Sequence, residues 1–522
     1  MSSAGVFTLI TQDDITDSYF TAYSYLESRL KNICSTTNAL PTIDDVENSH
    51  IIFVKSRYYP YVAIASEYAK IGGSSHIIGR TGPELSFTLP SYGDFTNDIV
   101  LHIRFNSIGD KNAYINNIEP TESKPLYRYC AYPGIRILEN VELRSSGGVL
   151  IDNYQPEDVL SYKNFFVSHD HKSGWERCYG QDEIQHASYN SRSFTGILNY
   201  TNGYQTPKLY HDEFDMFIPL HFWFCEDVSN ALINYSSAAS QRIIKIQMSS
   251  IEKILQSLIY DNTGNDTTNI TPSGTSIVPL PITNLTFHAS LYVNQLYTYS
   301  YISDIMRRDF NFNLIRVHKR QITGIQNPSD LILLNQLQYP GEYLCVGFRN
   351  KANNEDFDRW HLMGSNYLNE DTNQVRSLHV PAIIWNSDHG IRQLVTREAI
   401  QSTSLNNIVC DIELITNAGI TIYPRLSRSF FNDYLPIRYN KNSAVISPYD
   451  NNMFLITFCF YPGKFNPSGY FNLSTSRELH IKYWLHSDYA DTYNNSYEIV
   501  ICMSALNFLY RQGDNLNLKY TM

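Results

Sequence analysis

The sequence predicts an all-β protein built as two β-sandwiches in tandem, and three observations carry that prediction. Alternating apolar and polar residues recur through both halves, as in Ile99, Leu101, Ile103 and Phe105, or Phe454, Ile456, Phe458 and Phe460. Period-two alternation marks strands with one buried face. A single sheet has nowhere to bury so many one-sided strands, whereas two facing sheets do. Finally, a stretch rich in Asn, Thr, Gly and Pro at 261–283 separates two regions with the same rhythm.

Taken in order, 14–34 reads as an amphipathic helix, with Ile15, Tyr19, Tyr23, Leu26 and Leu30 near helical spacing. Its expected role is packing, or an arm reaching a neighbouring subunit or an underlying layer. Strands follow at 51–62, at Leu85, Phe87 and Leu89 before Pro90, and at 99–105. The segment 132–143 reads as a strand after a Pro133-Gly134 turn, and Ser145-Ser146-Gly147-Gly148 turns it into a hairpin with 149–151. Residues 155–166 read as a helix, with Pro156 suited to a first turn. A long strand is expected over 214–224, with Pro219 marking a bulge or an unpaired side. Ile244, Ile246 and Met248 alternate again, and 251–259 changes to helical spacing.

The second half restarts at Leu285, Phe287, Ala289, Leu291 and Val293. Further strands are expected at 310–318, 331–337, 343–348, 409–415, 420–424, 453–461, 479–485 and 497–509, with 351–401 as a long surface excursion. Between the strands at 453–461 and 479–485 lies Asn466-Pro467-Ser468-Gly469. Proline fixes φ there, and Gly469 can take a positive φ that other residues avoid. The expected divisions are an arm at 1–49, a first sandwich at 50–262, a linker at 263–283 and a second sandwich at 284–522.

Composition narrows the function. Of 522 residues, 43% are hydrophobic and only 17% charged, while 40 are tyrosine, against about 25% charged in ordinary domains. Tyrosine covers area while its hydroxyl stays hydrogen-bonded, which suits extensive permanent contacts; an AT-rich coding sequence would also enrich Tyr, Asn and Ile. The net charge of −11, with no Lys/Arg block, argues against direct binding of nucleic acid, which needs a basic face. Eight cysteines are scattered without a C-x-x-C pair, which points to a reducing compartment. The N-terminus lacks the pattern of a signal peptide, and no apolar run approaches the ~20 residues of a membrane span. The N-x-S/T matches at Asn199, Asn234, Asn269 and Asn284 therefore carry no argument for glycosylation.

Only His169-Asp170-His171-Lys172-Ser173-Gly174-Trp175-Glu176 looks like chemistry. Its His-x-His-x4-Glu spacing resembles the first metal motif of cupins, in which His169, His171 and Glu176 would hold a first-row metal. The preceding glycine and a second motif are missing, and a solvated loop explains the match more simply. No nucleophile elbow, P-loop or dinucleotide fingerprint occurs, and Gly72-Gly73-Ser74-Ser75 reads as a flexible turn. Arg307-Arg308 and His318-Lys319-Arg320 read as solvated strand ends. The Tyr58-Tyr59-Pro60-Tyr61 run could stack sugars, as in a lectin, but reads first as core or interface. No catalytic, cofactor-binding or metal residue is assigned, and no cofactor is expected.

Asn466-Pro467-Ser468-Gly469 followed by Asn472-Leu473-Ser474 resembles the signature of the double jelly-roll major capsid proteins of nucleocytoplasmic large DNA viruses. Tyr129-Cys130-Ala131-Tyr132-Pro133-Gly134-Ile135-Arg136-Ile137-Leu138-Glu139-Asn140-Val141 and Asn313-Leu314-Ile315-Arg316-Val317-His318-Lys319 resemble the asfarvirus type. Pro90-Ser91-Tyr92-Gly93-Asp94-Phe95 and Ser504-Ala505-Leu506-Asn507-Phe508-Leu509 also fit. Phe222-Trp223-Phe224, with Asn230-Ala231-Leu232-Ile233 after it, matches the wider family. The resemblance implies two eight-stranded jelly rolls side by side, and homotrimers forming pseudo-hexagonal capsomers that tile an icosahedral shell over an internal membrane. It also implies assembly in host cytoplasm, contacts with minor capsid, penton and inner-membrane proteins, and no enzyme activity. The rivals are a transient scaffold double jelly-roll, as in poxviruses, and a jelly-roll lectin or metal-dependent cupin-like enzyme.

Overall fold

A computed structural model describes residues 64–520 apart from 116–124, 182–203, 206–207, 235–240, 262–275, 281, 283, 299–311, 358–359, 365–381, 387–390, 396–407, 417–418, 441–444, 449, 465, 474–478, 487–496 and 513–514. The expected arm at 1–49 with its helix, the strand at 51–62, the tyrosine run at 58–61 and Arg307-Arg308 lie outside the described residues.

Eight strands make the first sandwich. In chain order they are Ala65–Ile78, Glu84–Thr88, Phe95–Phe105, Leu138–Ser145, Leu150–Tyr154, Leu232–Ile233, Arg242–Met248 and Leu285–Tyr297. One sheet, here sheet I, takes the first, eighth, third and sixth; its partner, sheet II, takes the second, seventh, fourth and fifth. Phe214–Pro219 adds a further strand beside the third. The two inner faces meet directly, and Gly72 of sheet I shows how closely. At φ +76 it leaves only 3.0 Å between the place of a Cβ and the ring of Phe87 in sheet II, so a side chain would be both strained and crowded.

The second sandwich repeats the scheme with Phe312–Gly324, Ser329–Leu333, Pro340–Asn350, Val409–Thr416, Thr421–Ser427, Met453–Thr457, Leu479–Leu485 and Tyr497–Gln512. Sheet III again takes the first, eighth, third and sixth, and sheet IV the second, seventh, fourth and fifth. Phe348 of sheet III meets Tyr483 of sheet IV edge-on at 5.7 Å. Such double-sheet closure of eight antiparallel strands is a jelly roll, and the same order occurs twice.

Several expectations are corrected. Leu285–Tyr297, expected to open the second half, is hydrogen-bonded between Ala65–Ile78 and Phe95–Phe105. It is therefore the eighth strand of the first roll, and a second sandwich starting at 284 is not what forms. Within the expected linker, Ser276–Leu280 is a strand in a small sheet with Leu255–Asp261 and Leu126–Tyr129. Alternation reports that a strand forms, not which distant strand it meets. In 214–224 the ladder ends at Pro219, which has no N–H to donate, and Trp223–Glu226 forms a short helix. In 132–143 a short helix, Pro133–Arg136, precedes the strand, because Tyr132 takes a left-handed backbone at φ 46 and turns the chain into it. In 251–259 only Ile251–Ile254 is helical, since long-range pairing recruits the rest. The excursion at 351–401 is not all surface: Trp360 and Met363 are buried. The helix expected at 155–166 forms as Pro156–Phe166 with Gln155 and Asp158 in a capping box.

Candidate functional site

The chemistry of this protein lies between its rolls. Sheets I, II and IV bury one face each, but sheet III is buried on both. Met453–Thr457 is buried at every position, and Pro340–Asn350 at nearly all. Phe165, at the end of the helix Pro156–Phe166, sits among Cys345, Met453, Leu455, Val500 and Cys502 on the far side of sheet III. The helix belongs to the first roll, so one roll covers the other's sheet.

Three carboxylates of the first roll face three cations of the second. Asp152, fully buried at 0% exposure, pairs with the His318 Nδ1 at 3.0 Å. Asp158 pairs with Arg320, and Glu157 with Arg349 at 3.0 Å, while Arg349 also reaches Glu498 at 2.7 Å. Asp152 further accepts the backbone N–H of His318 at 2.9 Å. That N–H lies on Phe312–Gly324, the edge strand of sheet III, so a carboxylate occupies an edge that would otherwise invite another strand. Asp158 has a second task, accepting the N–H of Gln155 at 2.9 Å to start the helix. Burying ions costs solvation that their attraction only partly returns, so such a network fixes register more than it adds stability. Burial alone would lower the His318 pKa, but the carboxylates of Asp152, Asp158 and Glu226 together outweigh it and raise it to about 9. His221, half-buried near His318 and without a carboxylate partner among the described residues, is pushed down to about 3 by desolvation.

Backbone contacts extend the seam. Ala131 donates to Phe357 O at 2.9 Å and accepts from the Trp360 Nε1 at 2.6 Å. The Arg136 guanidinium lies 5.3 Å from the rings of Phe357 and Trp360 and donates to Asn354 O at 2.8 Å. Tyr132 accounts for its unusual backbone: its hydroxyl donates to Glu176 at 2.6 Å, and the Lys163 ammonium sits 3.7 Å above its ring. Burial lowers the Lys163 pKa to about 7.

The signature loop serves the second roll. It does not join neighbouring strands of one sheet, because Met453–Thr457 lies in sheet III and Leu479–Leu485 in sheet IV. Ser468 accepts from Phe460 N at 3.3 Å through its carbonyl and from Tyr461 N at 2.8 Å through its hydroxyl. Gly469 takes φ +133, with Phe458 O 3.1 Å from the place of a Cβ. The loop then returns so that Phe471–Asn472 pairs with Pro340 and Gly341.

His169, His171 and Glu176 lie on or at the start of one helix, His169–Cys178, rather than on a loop. The Glu176 carboxylate accepts from Tyr132, and His171 Nδ1 contacts Ser168 Oγ at 3.2 Å. Among the described residues no three His, Cys, Asp or Glu side chains are grouped to hold a metal. His318 and Arg320, expected as solvated strand ends, are instead seam residues. The signal was present in the sequence: His318 and Arg320 share one face of a strand, and Asp152, Glu157 and Asp158 stand close together elsewhere in the chain. Nothing local says that these groups meet.

No family model matches the chain. The Hexon protein p72 of African swine fever virus (isolate Tick/Malawi/Lil 20-1/1983) is 25% identical over 662 aligned positions that take in 100% of both chains. The Major capsid protein of isolate Warthog/Namibia/Wart80/1980 is likewise 25% identical over 661 positions, again with 100% of both covered. Among solved structures, the Faustovirus major capsid protein superposes with a TM-score of 0.65 at 21% identity, covering 96% of this chain and 100% of that one. A chain of the PBCV-1 virus capsid gives 0.58 at 16% identity, covering 90% and 100%.

Proposed function

This chain is a homologue of the African swine fever virus major capsid protein with the double jelly-roll fold of large-DNA-virus capsid proteins, and from that we propose that it is itself a structural major capsid protein. The observation that carries the reading is the buried ionic seam, which joins two rolls of the same strand order into one block. A shell needs such a block. Each copy presents two similar sandwiches, so three copies around an axis present six, a near-hexagonal outline able to tile an icosahedral shell. In this reading the rolls divide between Tyr297 and Phe312, and the segment 1–49 serves as an arm toward neighbours or an underlying layer.

Self-association is the mechanism. Its partners are further copies, neighbouring capsomers, minor capsid and penton proteins, and proteins of an inner membrane, with assembly in host cytoplasm and no direct hold on the genome. Its relatives are named as capsid proteins, and we assign the chain no catalytic step, cofactor or metal. Light scattering on the purified protein at micromolar concentration tests the central step. A mass about three times 60.1 kDa is expected; a stable monomer would count against the reading.

A further inference from the structure

The two solvent-facing sheets of the first roll are finished differently. Sheet II turns outward charges that are paired on its own surface: Lys245 with Glu84 at 3.0 Å and Arg144 with Glu142 at 2.6 Å. Sheet I pairs charges as well, Arg104 with Glu213 and Asp215, but beside them it turns outward rings. His102 stacks on Phe217 at 4.4 Å between centroids and 14° between planes, and Tyr292 lies 6.2 Å from Phe217. His102 is held from both sides, by Asp215 at 2.8 Å and Ser290 at 3.3 Å. Phe217 is nevertheless 49% exposed. At the rim, Tyr68 donates to Asp98 at 2.7 Å.

We propose that this face of sheet I is a contact surface for a second copy of the chain, an inference that rests on the self-assembly reading above. An aromatic centre inside a polar rim is the anatomy of a protein interface. Rings already fixed by stacking and hydrogen bonds lose little freedom on docking, which is what makes an anchor effective. At strand spacings of about 4.8 Å the face spans on the order of 500 Å², the larger part of the ~800 Å² that one partner contributes to a standard interface.

A closed ring of copies joins two different patches of the same chain. The second roll offers one. Beside the signature loop lies a groove of about 330 Å³ lined by Tyr423, Phe458, Phe460, Tyr470 and Phe471, among others, with Phe460 74% exposed. Arg438, exposed next to Tyr439 of the groove wall, complements Asp98 at the sheet I rim, which among the described residues has only the neutral Tyr68 hydroxyl against it. Phe217 of one copy is thus matched to the groove of the next.

The test is the oligomeric state of Phe217→Asp in the full chain, with Lys245→Asp on sheet II as the control. The proposal expects Phe217→Asp to keep its circular dichroism and to need at least tenfold more protein to assemble, with the control unchanged. An unaltered oligomer, or equal weakening by the control, overturns the contact but leaves the proposed function standing. A wild-type monomer instead overturns the proposed function. Should Phe217→Asp fail to fold, Phe217→Cys decides. Maleimide labelling there should slow at least tenfold in the oligomer relative to the diluted monomer. Equal rates overturn the proposal and leave the rings to another ligand, such as a sugar.

Discussion

At the residue scale, His318 shows what the seam costs and contributes. Burial opposes its charge, and Asp152 with Asp158 and Glu226 more than offsets this, setting the folded pKa at about 9 against about 6.5 for a free imidazole. A folded pKa above the unfolded one favours folding while the group is protonated. The contribution is complete below about pH 6.5 and lost as the pH rises through 9. Wild type should lose on the order of 3 kcal/mol more stability than His318→Gln between pH 6 and pH 10. Denaturant titrations at both pH values measure this, and equal losses would show that His318 is not held charged. Without the Asp152 carboxylate, burial drives the imidazole toward its neutral form, so Asp152→Asn should cost about 1–3 kcal/mol at pH 7. A cost below 1 kcal/mol would place the pair in effectively open water. Gly469 makes a different kind of demand. Its φ of +133, and a carbonyl 3.1 Å from any Cβ, predict that Gly469→Val lowers stability by about 1–3 kcal/mol and reduces oligomer yield. A variant that melts and assembles like wild type would leave the loop as a family tag only.

At the scale of elements, the helix Pro156–Phe166 is the piece by which the first roll grips the second. Phe165→Ala opens a cavity against Cys345, Met453 and Val500 and should cost about 3–5 kcal/mol. Because the lost contact lies between rolls, limited proteolysis should then cut between them sooner. Unchanged proteolysis with lowered stability would place the damage inside one roll. This helix was legible in the sequence because its information is local, with Pro156 suited to a first turn, while the Gln155 and Asp158 cap came only with the structure. Most strands were legible for the same reason, since Leu479–Leu485 needs only its own alternation. The seat of Leu285–Tyr297 was not. Its pattern is equally satisfied by either roll, and only pairing with Ala65–Ile78, more than 200 residues away, decides. The seam failed to show for a related reason, because Asp152 and His318 look like surface charges until the fold buries them together. Tyr132 was hidden too, as no propensity announces a left-handed tyrosine whose hydroxyl is claimed by Glu176.

At the scale of the molecule, two rolls with one strand order are docked through a sheet buried on both faces. The motif at 466–469 was readable as a stiff turn and as a family mark. Its structural role, carrying the chain from sheet III toward sheet IV, emerged only with the fold. The central claim is that this block forms the outer shell of a large DNA virus. Cryo-electron microscopy of mature particles containing the protein tests it most directly. The account predicts a shell of pseudo-hexagonal capsomers, each fitting three copies of the two-roll block. Mature particles that lack the protein, having shed it as a transient scaffold, or a shell whose capsomers do not accommodate three such blocks, would contradict it.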